Sequence, residues 1–499
     1  MRILIAIASQ QKGFFIGLGR RLAEMGHLVR FVPRDKDVAD LIRRLAPELS
    51  DGIIESDDAN TLVPPSDAIR RGLEVEDRYG IRLSMLLSFD RALGRGYIFN
   101  ADRYPMIGRA NWGHERKLAH ILQRFIHFED LLLKYQPDLV IGIQKDEVHN
   151  VVAASRSVPY LSPSPVKLGN RFMWSDNPFI TSTKFLRCLQ KNARGSVNEL
   201  TPVGSYDQEA GSKYNHARVR FTWTSSIKEV LRNVYGELKV WVRGRRKKDS
   251  YPPFGWIPYL LRQPSSYRFF LRHGIRPDEL RGRRAVYVPL HLEPEIALLA
   301  LSPEFNNSME MIAWISKSLP ADGLVVVKEQ PLAFGIRSRR YYQQLMQIGN
   351  VVLAHPGTGS WDWIRAATVT ATITGTAATE AVMFGRPVLS FGRHQAVNFL
   401  PTVRFAAHYE STRKALDELL LLDRKDPAFE LSRRALYQAQ LECSFEMPGF
   451  EKTYDSSDIH DGLAEAAIKG LIDAIPGLMD TKRSDSDIFS ADSTVRLSN

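Results

Sequence analysis

The stretch VTATITGTAATEAVMFGRPVLSFG, from Val369 to Gly392, decides the fold class of this 499-residue chain. Its first part, VTATITG, is rich in β-branched residues and predicts a strand, TAATEAVMFG predicts a helix, and PVLSFG predicts a second strand. A helix between two short apolar strands is typical of a parallel sheet that is covered on both faces. The chain is therefore predicted to be an α/β protein.

The same alternation continues on the N-terminal side of this stretch. RAVYVPLHL, GLVVVKEQP and NVVLAHPG predict strands, and SMEMIAWISKSLP and SRRYYQQLMQIG predict the helices between them. Near the N-terminus, RILIAIAS, HLVRFVP and LVIGI predict strands of a second unit of this kind. We therefore expect two Rossmann-like, doubly wound domains that face each other across a cleft, with ligands at the carboxyl ends of the strands.

The α/β rhythm stops at a basic stretch and restarts after it, which divides the chain into consecutive segments. We expect an N-terminal Rossmann-like domain over 1–200, a basic, aromatic-rich linker over 201–284, a C-terminal Rossmann-like domain over 285–425, C-terminal helices over 426–478 and a disordered tail over 479–499.

Composition argues against several classes of protein. The only two cysteines, Cys188 and Cys443, lie far apart, which argues against a disulfide-stapled secreted domain and against a Cys-ligated metal site. The N-terminal apolar run MRILIAIAS is too short to span a bilayer, and no later run reaches about 18 uncharged apolar residues. We expect a cytoplasmic protein without a transmembrane helix.

The formal net charge of +11 comes from one part of the chain. Residues 213–284 contain 18 basic and 5 acidic residues, and the rest is close to neutral. Over 225–248, apolar residues recur at three- and four-residue spacing among Lys and Arg, which predicts a basic amphipathic helix. Such a helix suits an anionic membrane surface, and the alternative is a solvated helix packed between two domains. No nucleic-acid partner is expected, because no reader motif accompanies the charge.

In the opening stretch, the turn Thr374-Gly375-Thr376 joins the end of a strand to the start of a helix. Free backbone N–H groups at a helix start, two hydroxyls and a flexible Gly suit a phosphate group. Glu380 follows on the same helix and could accept hydrogen bonds from ribose hydroxyls. The alternative is that Glu380 binds no ligand and only contributes a favourable negative charge near the helix N-terminus.

Two further strand ends carry ionisable residues. Lys328 ends the strand GLVVV, where it could contact phosphate or lie in solvent. His291 follows the strand AVYVPL together with Glu293 and Glu295. These three residues could move protons or hold a sugar, or they could belong to a solvated loop.

Three motifs together resemble a known family. YVPLHLEPE, VVVKEQP and ITGTAATEAVMFGRPVLSFG, within 285–401, resemble the bacterial capsular polysaccharide synthesis proteins, which include Kdo transferases that use CMP-Kdo. Glycosyltransferases of the GT-B fold more broadly share the strand, the Gly-Thr turn and the helix with Glu. The resemblance implies a GT-B glycosyltransferase that takes a nucleotide sugar and acts on a saccharide or glycolipid acceptor. With the basic segment, it leads us to expect a peripheral enzyme at the inner-membrane surface.

The family pattern also implies that Lys328 and Glu329 approach the nucleotide phosphates. Gln330 stands before Pro331 where the family commonly has His. A Gln side chain donates a hydrogen bond but carries no positive charge, so a step that needs a protonated imidazole at this position is in doubt.

The N-terminal half offers candidates for the catalytic base. Asp146, Glu147 and His149 follow the predicted strand LVIGI, and each could deprotonate an acceptor hydroxyl or act as a nucleophile. The alternative is that Asp146 caps a helix whose first turn is solvated. No Asp-x-Asp, Walker A or complete dinucleotide motif is present, so neither a divalent ion nor NAD is predicted.

Two other functions are alternatives to this expectation, and the second is disfavoured because no nucleic-acid reader motif accompanies the charge. A non-catalytic protein of capsule assembly or export could bind the nucleotide sugar or polysaccharide without turnover, and the departure at Gln330 favours it. A nucleic-acid-binding protein would use the basic segment, with the α/β domains as a scaffold.

Overall fold

The computed structural model describes residues 1–8, 10–54, 63–97, 103–143, 147–177, 179, 181–203, 221–242, 251–454 and 456–480. The chain divides into two compact units. Unit 1 comprises Met1–Val63, Leu122–Arg187 and the chain from Gln440 onward, and unit 2 comprises Pro64–Ile121 and Cys188–Ala439. This division differs from the five consecutive segments expected from the sequence, which stay a prediction. The expected tail lies outside the described residues from 481 onward.

Strands and helices alternate along both units. The strands are β1 (Arg2–Ile7), β2 (Leu28–Pro33), β3 (Leu139–Gly142), β4 (Tyr160–Pro165), β5 (Arg171–Ser175), β6 (Gly274–Ile275), β7 (Ala285–Pro289), β8 (Leu324–Lys328), β9 (Val351–Ala354), β10 (Val369–Thr372), β11 (Val388–Ser390), β12 (Val403–Phe405) and β13 (Phe445–Glu446). The α-helices are α1 (Lys12–Glu24), α2 (Lys36–Leu45), α3 (Ala68–Tyr79), α4 (Leu83–Phe89), α5 (His114–Tyr135), α6 (Glu147–Ser155), α7 (Thr183–Arg194), α8 (Trp223–Val242), α9 (Ile257–His273), α10 (Ile296–Leu301), α11 (Ser308–Ser318), α12 (Arg339–Gln347), α13 (Ser360–Ala366), α14 (Thr376–Met383), α15 (Tyr409–Leu421), α16 (Pro427–Glu442) and α17 (Asp461–Asp480).

Unit 1 contains a mixed sheet with the strand order β13-β5-β4-β3-β1-β2. The strands β2, β1, β3 and β4 are parallel, whereas β5 and β13 are antiparallel to their neighbours. The parallel strands are buried apolar runs, such as Leu139–Gly142, as expected for a sheet that helices cover. Helix α17 packs on α1, so the C-terminal end of the described chain completes this unit.

Unit 2 contains a parallel sheet with the strand order β12-β11-β10-β7-β8-β9-β6. From β7 the chain adds β8 and β9 on one side and then returns to add β10 and β11 on the other. The direction of winding therefore reverses between β7 and β10, which is the topological switch point of a doubly wound sheet. The predicted α/β class with two Rossmann-like sheets is confirmed, and the cleft between them stays a prediction.

The basic stretch forms a helix where the sequence predicts one. Helix α8 begins at Trp223 and ends at Val242, and residues 243–248 of the predicted helix lie outside the described residues. Its neighbour α9 packs against it. Among the parts of the chain that the structure describes, no helix is both long and apolar enough to cross a bilayer.

Candidate functional site

The candidate residues of unit 2 lie at one edge of its sheet. His291 comes two residues after β7, Lys328 ends β8, and Thr374 comes two residues after β10. Because β7 pairs in parallel with both β8 and β10, the carboxyl ends of these strands meet at the same edge. The sequence-predicted residues are therefore gathered at the switch point, where doubly wound sheets bind ligands.

His291 is a buried, neutral imidazole that supports the turn after β10. The backbone N–H of Thr374 donates to its Nε2 over 3.3 Å, and Thr372 Oγ1 lies 3.2 Å from the same atom. Since Nε2 accepts the backbone proton, the ring proton resides on Nδ1. Burial lowers the pKa of His291 to about 4, and the positive charge of Arg337 adds to this effect. His291 is thus uncharged at neutral pH.

The turn after β10 opens α14 without a side-chain cap. Gly375 is the N-cap residue, and its N–H donates to Thr372 Oγ1 over 3.0 Å. A Cβ at this position would lie 2.7 Å from Thr372 Oγ1, so the close approach requires glycine. Thr374 Oγ1 is buried without a hydrogen-bond partner among the described residues. An uncapped helix start beside an unused hydroxyl is suited to a phosphate group.

Lys328 places a largely buried, positively charged side chain at the same edge. The residue is only 8% exposed, and its ammonium makes no hydrogen bond or ion pair with any residue that the structure describes. Burial lowers its pKa to about 8, against the opposing attraction of Glu329 and Asp362. A largely buried lysine side chain without a partner in the protein favours an anionic ligand at this edge.

Glu329 is engaged inside the fold by Arg337. The guanidinium Nη1 of Arg337 donates to both carboxylate oxygens over 2.7 and 2.8 Å, and Tyr342 donates its hydroxyl to Oε2 over 2.6 Å. Arg337 is 0% exposed, and it also donates to the carbonyl oxygen of His291. Its Nη2 lies 3.4 Å from Glu293 Oε2, and burial raises the pKa of Glu293. Arg337 therefore ties together the segments that follow β7 and β8.

Sequence reasoning missed Arg337 and Thr372. Arg337 belongs to the irregular run PLAFGIR after β8, and no periodicity or motif marks it as buried. Thr372 lies in the predicted strand VTATITG. Its position shortly before the Gly turn could have indicated that its hydroxyl supports that turn. A hydroxyl three residues before a helix N-cap can accept the N-cap N–H, as Thr372 does here.

Glu380 is buried on the second turn of α14. Its negative charge adds to the effect of burial in raising the pKa of Tyr287, a residue of β7. Tyr287 Oη lies 2.7 Å from Ser360 Oγ at the start of α13. Glu380 therefore belongs to the same part of unit 2 as the ends of β7 and β10. Thr376, the first residue of α14, is partly buried.

The candidate bases of unit 1 lie at the start of α6, after β3. Glu147 is the first residue of this helix, and the ring of His149 stacks on Phe128 with centroids 4.0 Å apart. Asp146 lies outside the described residues. Tyr160 packs next to His149 and donates its hydroxyl to the carbonyl oxygen of Ile143 over 2.9 Å.

Solved structures similar to this chain include glycosyltransferases and nucleotide-sugar epimerases. The β Kdo 2,7 transferase KpsC of Thermosulfurimonas dismutans is 13% identical, with 73% of this chain and 97% of that chain covered and a TM-score of 0.32. The UDP-GlcNAc 2-epimerase of Methanocaldococcus jannaschii, in complex with UDP-GlcNAc and UDP, is 10% identical over 87% of this chain and 98% of that chain, with a TM-score of 0.27. The glycosyltransferase VinC, in complex with dTDP, is 14% identical over 96% of this chain and 100% of that chain, with a TM-score of 0.26. No protein-family model matches the sequence, and no curated protein matches it.

Proposed function

We propose that the protein is a glycosyltransferase that holds the phosphate groups of a nucleotide sugar at the switch point of unit 2. The observation that carries the proposal is the largely buried side chain of Lys328, which has no hydrogen-bond or ion-pair partner among the described residues, at the sheet edge where α14 begins without a side-chain cap. Both features are stabilised by an anion, and both belong to the part of a doubly wound sheet that binds ligands.

Each sequence-predicted residue has a place in this proposal. Thr374, Gly375 and Thr376 would bind a phosphate through backbone N–H groups and hydroxyls, while Glu380 would accept hydrogen bonds from the ribose. Lys328 would stabilise the negative charge that develops on the departing phosphate, so no divalent ion is required. His291 and Glu329 would act indirectly, His291 by supporting the turn after β10 and Glu329 by holding Arg337.

Transfer also needs a base for the acceptor hydroxyl. In the proposal Asp146, Glu147 or His149 of unit 1 takes this proton, the acceptor oxygen forms a bond to the anomeric carbon, and the bond from that carbon to the phosphate oxygen breaks. The sequence motifs of residues 285–401 support CMP-Kdo as the donor and a capsular or other surface polysaccharide as the product. A lipid-linked acceptor would place the protein on the cytoplasmic face of the inner membrane as a peripheral protein.

A second candidate is a non-catalytic protein that binds nucleotide sugar or polysaccharide during capsule assembly or export. Gln330 favours it, because this residue stands where the resembling family commonly has His. Its side-chain Oε1 is buried without a hydrogen-bond partner among the described residues. Such a protein would use the same phosphate site and lack turnover.

Release of free nucleotide from a panel of nucleotide sugars, with and without saccharide acceptors, tests the proposal against this second candidate. We expect wild type to release nucleotide from at least one donor, and Glu380→Ala to lose that activity. Glu310→Ala on α11 is the control, because Glu310 is an exposed glutamate on another helix of the same unit. Binding without release in wild type would support the non-catalytic candidate and contradict the proposed transfer.

A further inference from the structure

Helix α8 presents a continuous row of large apolar side chains to solvent. Leu231 is 64% exposed and Trp241 is 73% exposed. At 3.6 residues per turn, the members of the row share an arc of about 120° on the helix. Exposed apolar surface of this kind on a globular protein marks a contact site. The α8 apolar row consists of Trp223, Ile227, Leu231, Tyr235, Leu238, Trp241 and Val242.

The side of α8 that packs on the protein is a different one. Ser226 is buried, and Val230 packs against a buried cluster that includes Tyr259 and Leu260 of α9. At about 100° per residue, Ser226 lies roughly 140° from Leu231 and 180° from Tyr235. Val230 lies roughly 100° and 140° from them, beside the edge of the row that Trp223 and Trp241 form. Contact with α9 therefore leaves the α8 apolar row uncovered.

Charge is distributed unequally around the same helix. Lys228, Arg232 and Lys239 are exposed along one edge of the α8 apolar row. The acidic residues Glu229 and Glu237 lie on the other half of the helix, partly buried, and Glu229 reaches Arg232 with an ion pair of 3.0 Å. In the sequence the helix is followed by RGRRKK. The row thus has an edge of basic residues and no acidic side chain within its arc.

We propose that the α8 apolar row is a docking surface for an anionic phospholipid bilayer, with α8 lying in the plane of the interface. Leu, Ile and Val would enter the acyl boundary, Trp and Tyr would sit at headgroup depth, and the basic edge would meet anionic headgroups. The basic residues beside the α8 apolar row complement anionic headgroups, which favours an anionic bilayer over an uncharged apolar partner. The inference deepens the proposed function, because it assigns the surface through which a lipid-linked acceptor is approached.

Co-sedimentation of the full chain with vesicles tests the docking surface without any donor. We expect binding to vesicles of phosphatidylcholine with roughly one third phosphatidylglycerol, and binding at least about tenfold weaker to phosphatidylcholine alone. Leu231→Ser with Trp241→Ser should weaken binding to the anionic vesicles by at least about tenfold. Leu73→Ser with Leu421→Ser is the matched control, because these leucines are 63% and 84% exposed on other helices. It should bind as wild type does.

The basic edge has its own expected effect. Lys228→Gln with Lys239→Gln should weaken binding to the anionic vesicles by about fivefold for each charge removed, and added salt should weaken wild-type binding. Anionic vesicles that bind wild type and Leu231→Ser/Trp241→Ser equally would overturn the inference, as would failure of wild type to bind them.

Two further results would also overturn the proposed surface. One is a dimer in solution that Leu231→Ser/Trp241→Ser converts to a monomer while vesicle binding is unchanged, since the row would then join copies of the chain. The other is binding of a DNA duplex in place of the anionic vesicles. Because vesicle binding is measured without nucleotide sugar, its failure is distinguishable from a failure of the proposed transfer reaction.

Discussion

Arg337 shows how much of the site depends on one buried side chain. Its guanidinium neutralises Glu329, lies 3.4 Å from Glu293 and holds the main chain at His291. A buried ion pair adds little stability compared with a well-packed apolar pair, but removal of one partner leaves an uncompensated charge in the core. Arg337 thus holds the carboxylate next to Lys328 and the main chain of His291 without a hydrogen bond to either of those two side chains.

Arg337→Met should lower the free energy of unfolding by about 3–5 kcal/mol, because two carboxylates lose their counterion. Urea unfolding followed by circular dichroism measures this loss. Arg340→Met is the control at an exposed arginine of the neighbouring helix and should change stability by less than about 0.5 kcal/mol. Equal stability of the two variants would mean that the buried network is dispensable.

The titration of Lys328 predicts opposite effects of pH on nucleotide binding and on stability. Burial lowers the pKa of Lys328 to about 8, and only the ammonium form attracts a phosphate. Nucleotide affinity should therefore fall by up to about tenfold per pH unit above pH 8. Stability of the free chain should rise between about pH 8 and 10.5, because the unfolded lysine still holds its proton there. Calorimetry at pH 7 and 9 checks the first effect, and Lys328→Met should show neither.

At the residue scale, the position of some candidate residues at the sheet edge could be predicted from the sequence, whereas that of others could not. Lys328 and the turn Thr374–Thr376 were predictable because a strand end, a Gly and a helix start are local patterns. Arg337 was not, since its partner carbonyl at His291 is 46 residues away and only the folded chain brings the two together. The assignment of Asp146, Glu147 or His149 as the base stays a prediction.

At the scale of elements, the start of α14 depends on the absence of a side chain at Gly375. A Cβ there would meet Thr372 Oγ1 at 2.7 Å and His291 Cε1 at 3.2 Å. The turn would have to shift, and with it the N–H groups that are proposed to bind phosphate. The strand β10 and helix α14 were predicted from the sequence, but this close approach becomes visible only when β7 and β10 are neighbours.

Gly375→Ala should weaken nucleotide binding by at least about tenfold and destabilise the protein by about 1–3 kcal/mol, the usual cost of overpacking. Gly349→Ala is the matched control, because a Cβ at Gly349 would meet no atom within 4 Å. Thermal unfolding with and without nucleotide measures both effects. Wild-type affinity in Gly375→Ala would contradict the placement of the phosphate at this turn.

Helix α8 illustrates the limit of periodicity as a signal. The sequence predicted a basic amphipathic helix over 225–248, and the described helix covers Trp223–Val242. Periodicity alone left open whether the apolar side packs on the protein or faces solvent. In the structure, Val230 packs on α9, and the larger apolar side chains of α8 are exposed to solvent.

At the scale of the whole molecule, the chain order and the folded units do not coincide. Unit 1 is completed by the end of the described chain, where Arg21 pairs with Glu465 and Trp174 donates to the carbonyl oxygen of Ala467. The antiparallel strand β13 is two residues long, too short to leave a periodic signal in the sequence. The alternation of strands and helices predicted the two Rossmann-like sheets. It could not predict a contact between residues that are 444 positions apart in the chain, such as Arg21 and Glu465.

A chain that ends after residue 439 should lose the fold of unit 1, because α17 buries Leu463, Ala467 and Leu471 in its core. Hydrogen exchange measures this: peptides of β1 and β3 should exchange rapidly, while peptides of β7 and β8 stay protected. A chain that ends after residue 480 keeps all the described elements and serves as the control. Protection of β1 and β3 in the shorter chain would show that α17 is not required.

Calorimetric titration of CMP, UDP, GDP and dTDP tests the central claim, that Lys328 holds a nucleotide phosphate at the switch point of unit 2. We predict that at least one nucleotide binds wild type and the control Lys317→Met, a variant at an exposed lysine of α11, with the same Kd. Lys328→Met should bind it at least about tenfold more weakly, since a charge-assisted contact contributes about 1.5–3 kcal/mol. Equal binding to all three proteins, or binding of none of the four nucleotides, would contradict the claim.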